Sequence, residues 1–262
     1  MASLDAWTQH LCARGLRDAT IDAYTGWVRR LGQWADADPD TLTADDLERW
    51  MAAHRHWKPN THAKAVMSVR YYYGWLQATG RRQDNPAAHL HPARRPAPCP
   101  DPCPEDTYRA ALDSAQGDTY WRLRLAAETG MRRSELAACH SRDVAQLVTG
   151  PALHIVGKGG RQRWVPLPAD LAQWLSLQHG YAFPVGDHDH MAPCSVGSWY
   201  RRHLGLHVHM LRHRYATLAY HAGHDMNAVR QLLGHSSPTT TAIYIALADD
   251  DLRAAAAGAW AA

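Results

Sequence analysis

Apolar residues recur at helical spacing through residues 1–90. Leu4, Trp7 and Leu11 form one stripe, Ile21, Tyr24, Trp27, Val28 and Leu31 a second, and Val66, Val69, Tyr73 and Leu76 a third. Thr43 ahead of Ala44, Asp45, Asp46 and Leu47 reads as an N-cap with acidic residues in the first turn of another helix. The pattern predicts a small domain of about four helices, with the Tyr71–Tyr73 run and Trp75 as core and rim rather than base-stacking groups. In the second half the reading is mixed. Leu112 to Thr129 reads as helix. Leu153–Val156 and Arg163–Leu167 read as two short strands, and the residues between them, Gly157 to Gln162, carry turn chemistry. Helices resume near Pro168, and Asp250 to Trp260 is Ala-rich and helix-prone. The expected fold is mainly α with a small β-hairpin or sheet in the second domain.

Six prolines fall between Pro92 and Pro104. Proline fixes φ and removes a backbone donor, so no helix or central strand is expected there. The expected organisation is a helical domain over 1–90, a linker over 91–104, and a second domain over 105–262 with a short helical tail.

The chain has 262 residues and a formal net charge of +3. Residues 1–95 hold 13 basic and 10 acidic side chains, and the rest is balanced. A nucleic-acid surface therefore has to come from local clustering. Five cysteines, Cys12, Cys99, Cys103, Cys139 and Cys194, have no framework spacing, which points to reduced thiols. Cys99 and Cys103 lack a second Cys/His pair at finger-like spacing, so no structural zinc is expected. No apolar run is long enough for a membrane span and no apolar signal region is present, so cytoplasmic location is expected.

Four short pieces carry candidate chemistry: Thr129-Gly130-Met131-Arg132-Arg133-Ser134-Glu135-Leu136, Gly157-Lys158-Gly159, His209-Met210-Leu211-Arg212-His213, and Leu233-Gly234-His235 followed nine residues later by Tyr244. His209 and Arg212 are three apart and share a helix face, an arrangement suited to an anionic oxygen. Leu211, Tyr215 and Leu218 are expected to anchor that helix in the core. Gly234 is expected to cap the helix containing Val229 to Leu233 and to display His235 just beyond it. Ser237-Pro238 reads as the start of a further short helix with Tyr244 near its second turn. Singly, each piece is as readily a solvated arginine, a plain turn, a surface pair or a core tyrosine.

Together and in this order the four pieces resemble the tyrosine recombinases, the phage-integrase and Xer-like site-specific DNA recombinases. The resemblance covers about 104–255, and the first helices are similar to the core-site-binding domain of that family. It implies an N-terminal helical core-binding domain and an α+β catalytic domain. It further implies that Arg132 and Arg212 hold the scissile phosphate, that His209 and His235 complete its hydrogen bonding, and that Lys158 protonates the leaving 5′-oxygen. Tyr244 would be the nucleophile, and Glu135 would orient its neighbours. Two guanidiniums and imidazoles suit the negative charge that phosphodiester attack builds on oxygen. A phenol with pKa about 10 needs a base, for which His209 is the candidate. No cofactor or metal is implied, because metal-dependent nucleases need convergent carboxylates. Here only Asp249-Asp250-Asp251 cluster.

Candidate DNA contacts are Arg29, Arg30, Lys58, Asn60, Thr61, Lys64, Arg70, Arg94 and Arg95, with Lys58 to Lys64 the preferred base-reading helix start. Each of the arginines and lysines is equally read as a solvated charge. The resemblance implies a duplex held between two domains and a homotetramer on paired sites, from a protein that is monomeric free in solution. Leu252 and Trp260 are candidate tail anchors on a neighbouring or the same protomer. The helices begin almost at Met1, so a preceding arm-site domain is not expected. Viral integration and excision in the bacterial cytoplasm is the leading setting, with a directionality factor as a candidate partner. Alternatives are a Xer-like or mobile-element recombinase, a silent DNA-binding homologue, a type IB topoisomerase and a metal-dependent His-rich hydrolase.

Overall fold

The computed structural model describes residues 2–94, 100–157, 159–186 and 189–235. The chain divides into two compact units, 1–97 and 98–262. No helix of the described residues is long and apolar enough to cross a membrane.

The first unit contains α1 (Ala2–Ala13), α2 (Asp18–Ala35), α3 (Ala44–Ala53) and α4 (Pro59–Ala78). The expected stripes form its core: Trp7, Leu11, Val28, Leu31, Leu47, Val66, Val69 and Tyr73 are all fully buried. Tyr72 and Trp75 are buried as well and Tyr71 packs partly buried against this core, so the aromatic run is core and rim as expected. Thr43 caps α3 reciprocally. Its hydroxyl accepts from the Asp46 amide, and the Asp46 carboxylate accepts from the Thr43 amide at 2.8 Å. Pro59 occupies the first turn of α4, where its missing N–H leaves no bond unmade. Residues 91–94 and 100–104 carry neither helix nor strand, as the prolines require. The Ala93 amide donates to Nδ1 of His62, which ties this stretch back to α4.

The second unit opens with α5 (Glu105–Ser114), α6 (Asp118–Thr129) and the short α7 (Arg133–Ala138). One helix over 112–129 was expected, but the structure breaks it at 115–117. Gly117 there takes φ +54 and ψ −135, a conformation open to glycine alone. Next comes an antiparallel sheet of β1 (Val144–Leu147), β2 (Gly150–Val156) and β3 (Gln162–Pro166), in the order β1-β2-β3. The hairpin β2–β3 was legible in the sequence. The edge strand β1 was not, since Val-Ala-Gln-Leu is short and two of its four residues are exposed. The register sets Leu153 opposite Val165 and Ile155 opposite Arg163, so these four share one face.

The described part of the unit continues with α8 (Ala169–Ser176), β4 (Pro184–Val185), β5 (Asp189–His190), α9 (Pro193–Leu204), α10 (Val208–Gly223) and α11 (Met226–Leu233). Its core gathers Leu123, Leu125, Leu136, Leu153, Val165, Leu171, Phe183, Tyr200 and Leu211. Leu211 anchors α10 as expected and Tyr215 is partly buried. Leu218 is 46% exposed instead, and Ala216 and Tyr220 take the inward positions, packing on Val229 and Leu233 of α11. Cys103 and Cys139 are buried, and burial pushes both thiols up, which leaves them inert.

Candidate active site

Three successive carbonyls at the end of α11 each accept a hydrogen bond from a different arginine. Arg163 Nε donates to Leu232 at 2.8 Å, Arg212 Nη2 to Leu233 at 2.8 Å, and Arg132 Nη2 to Gly234 at 3.4 Å. The last carbonyls of a helix have no partner within it, and the helix end carries partial negative charge, so guanidiniums suit it. Gly234 ends the helix with φ +62, as the sequence suggested. A Cβ at Gly234 would lie 3.1 Å from Arg163 Nη1, so the close approach of that arginine reinforces the demand for glycine.

Each arginine comes from a different element. Arg132 is the N-cap of α7, just after Gly130, which turns the chain with φ +59. Arg163 lies on the inward face of β3, beside Val165. Arg212 lies on the buried side of α10 at 2% exposure, and it also donates to the Gly130 carbonyl.

Glu135 joins two of them. Its side chain is 2% exposed and accepts from Arg163 through both carboxylate oxygens, Nη2 to Oε2 at 2.7 Å and Nη1 to Oε1 at 3.1 Å. It also accepts from Arg132, from the backbone amide at 2.8 Å and from Nη1 at 2.9 Å. Burial alone would raise this carboxyl. The Arg163 and Arg132 bonds outweigh it and hold the group down at about 2, so it is a carboxylate at neutral pH.

His235 follows Gly234 directly, and its Nε2 lies 2.9 Å from Arg212 Nη2. A guanidinium only donates, so Nε2 accepts and the ring proton sits on Nδ1. Burial first, then the positive field of Arg212, Arg132 and Arg163, hold the imidazole down at about 4. His209, in the first turn of α10, is likewise lowered by burial and then by Arg212, Arg132 and Arg133. Its ring stands 4.6 Å from that of His213. Both His209 and His235 are therefore mainly neutral at pH 7, each ring with one accepting nitrogen and one N–H donor, and in His235 the accepting nitrogen is already taken by Arg212.

The structure brings Arg132, Glu135, His209, Arg212 and His235 together. Arg132 and His209 are the open members: the Arg132 side chain is 33% exposed and His209 is exposed on the first turn of α10. Arg132 borders two cavities. One is lined also by Arg133, Ser134, Arg201, His207 and His209. The other is lined by Gly157, Gly159, Arg161, Arg163 and Gly234. Lys158 and Tyr244 lie outside the described residues, as do Ser237-Pro238, Asp249–Asp251, Leu252 and Trp260. Arg163 escaped the sequence reading. A charged residue on the inward face of an amphipathic strand was the available signal, since such a group needs a buried partner.

The candidate DNA contacts lie in the first unit. Lys58 is the N-cap of α4, with Asn60, Thr61 and Lys64 in its first two turns, and Lys58, Asn60 and Lys64 are exposed. Arg30 stacks over Trp27 at 4.8 Å, Arg29 donates to Thr25, and Arg70 donates to the Leu90 carbonyl. Arg94 is exposed, and Arg95 lies outside the described residues. Among the described residues no group of His, Cys, Asp and Glu is arranged to hold a metal.

Comparison with known proteins gives concordant results. Residues 4–79 match the phage integrase N-terminal SAM-like domain, and residues 196–251 match the phage integrase family. The chain is 31% identical to tyrosine recombinase XerC of Chromobacterium violaceum, over 91% of this chain and 88% of that one. It is 32% identical to XerC of Mycobacterium sp. strain JLS, over 96% of both. In fold it is similar to a lambda integrase dimer bound to a COC′ core site, with TM-score 0.72 and 19% identity over 93% of this chain and 76% of that one. This near full-length similarity, together with the two domain matches, shows that the chain belongs to the tyrosine recombinase family, enzymes that cut and rejoin DNA strands through a tyrosine nucleophile.

Proposed function

We propose that this recombinase acts with Tyr244 as nucleophile, Arg132 and Arg212 as the phosphate clamp, His209 as base, His235 as a hydrogen-bond donor and Lys158 as general acid. The observation that carries the reading is the convergence of Arg132, Arg212 and His235 at the end of α11, with His209 beside Arg132 on the cavity it borders. The Tyr244 oxygen attacks phosphorus as its proton passes to His209. The bond from phosphorus to the 5′-oxygen breaks, and that oxygen takes a proton from Lys158. A 3′-phosphotyrosine remains, and a 5′-hydroxyl from the partner strand reverses the steps. A neutral His209 suits a base, and guanidiniums already fixed by hydrogen bonds stabilise charge that grows on the phosphate oxygens without reorganising.

The substrate in this reading is duplex DNA carrying paired core-type sites. The helix start at Lys58, Asn60, Thr61 and Lys64, with Arg29, Arg30, Arg70, Arg94 and Arg95, supplies contacts from the first unit. The protein is a monomer in solution and a homotetramer on synapsed sites. A lambda integrase of the same fold is a tetramer on a Holliday junction in its own structure, which supports that assembly. Integration and excision of a viral or mobile element in a bacterial cytoplasm, with an accessory directionality factor, is one setting. Similarity to XerC over more than nine-tenths of the chain favours a second, the Xer-like resolution of DNA.

The test is Tyr244→Phe on a labelled cognate site carrying a nick beside the cleavage position. The variant is expected to bind and to form no covalent product, where the wild type traps one. An adduct formed by the Phe variant would overturn the assignment.

A further inference from the structure

We propose that Arg163 is a positioning residue for DNA cleavage: it shares the charge of Glu135 so that Arg132 keeps its positive field for the phosphate, and it holds the helix end from which His235 is displayed. This rests on the clamp role given to Arg132 above.

A carboxylate beside a single guanidinium largely cancels it. Glu135 instead lies between two, and the geometry is unequal. Arg163 takes both of its oxygens, whereas the Arg132 guanidinium reaches only Oε1. Two guanidiniums and one carboxylate leave one net positive charge. Arg163 and Glu135 are 7% and 2% exposed and Arg132 33%, so that charge faces outward at Arg132. Charges in such a poorly solvated setting interact far more strongly than they would in water.

The same guanidinium has a second task. Nε of Arg163 donates to the Leu232 carbonyl while both Nη atoms hold Glu135, so β3, α7 and α11 meet on one rigid planar group. The backbone leaves little slack around it. A Cβ at Gly157 would lie 3.0 Å from Glu135 Oε1, and one at Gly234 would lie 3.1 Å from Arg163 Nη1.

The experiment measures covalent-adduct formation on a nicked substrate, with DNA affinity measured separately. Arg163→Gln is expected to slow cleavage on the order of 100-fold, comparable to losing one oriented donor at a developing anion, with affinity nearly unchanged. Arg163→Lys keeps the charge but cannot fork, and it is expected to recover part of the rate. The decisive variant adds Glu135→Gln to Arg163→Gln. With no carboxylate left to cancel Arg132, the double variant is expected to cleave faster than Arg163→Gln alone.

Wild-type cleavage by Arg163→Gln, or a double variant no faster than the single, overturns the proposal. Should Arg163→Gln fail to fold, the Lys variant decides, and a wild-type rate there overturns it. An inactive wild type would count against the function proposed above instead, which keeps the two failures distinguishable.

Discussion

Arg212 and His235, 23 residues apart in the chain, meet at 2.9 Å between Nη2 and Nε2. Each defines the state of the other. The guanidinium can only donate, so the imidazole is held neutral with its proton on Nδ1. The imidazole and two backbone carbonyls in turn fix a guanidinium that is 2% exposed. In the reaction proposed above, a phosphate oxygen arriving here would meet donors already oriented.

That pairing has a pH signature. His235 is held at about 4 against an ordinary 6.5. As pH falls below 6.5 the unfolded chain takes up a proton at this residue, and the folded chain does not until about 4. The favoured neutral form is therefore fully retained above 6.5, and stability is lost between 6.5 and 4. His213, also held at about 4, adds to the same fall. Urea unfolding across this window is expected to show a shallower decline for His235→Asn than for wild type. An equal slope would contradict the buried neutral imidazole. Glu135, held at about 2, contributes stability that is lost in a separate window, between 4.5 and 2.

Gly130 and Gly205 both adopt left-handed backbone, with φ +59 and +66, but their surroundings differ. A Cβ on Gly130 would come within 2.4 Å of Tyr215 Cδ1, while nothing lies within 4 Å at Gly205. Gly205→Ala is expected to cost about 1 kcal/mol, the conformational penalty alone. Gly130→Ala adds overpacking and should cost about 2–4 kcal/mol in total, with lower cleavage, because its carbonyl holds Arg212. Thermal and urea unfolding of both variants checks this, and equal losses would refute it.

Arg133, Arg201, His207 and His209 line one cavity with Arg132, with no carboxylate among the described lining residues. Such a trough suits a DNA backbone beside the cut. Arg201→Gln is expected to lower the slope of log affinity against log salt by about 1, roughly equally on cognate and random DNA. An unchanged slope would remove Arg201 from the interface.

The sequence by itself determined the helical first unit, the β2–β3 hairpin and the glycine stop at Gly234, and its ordered motifs named Arg132, Glu135, Arg212 and His235, which the structure brings together. These signals are local: apolar spacing, capping chemistry, turn glycines and short ordered motifs. Tertiary structure alone decided what a single segment cannot encode. It broke the helix expected over 112–129 at Gly117, left Leu218 in solvent and added β1 at the sheet edge. It also recruited Arg163, whose partners Glu135 and Leu232 lie 28 and 69 residues away. A buried charge is stable only beside a partner, and which distant residue supplies it depends on how strand, helix and loop pack, a relationship that no local pattern records.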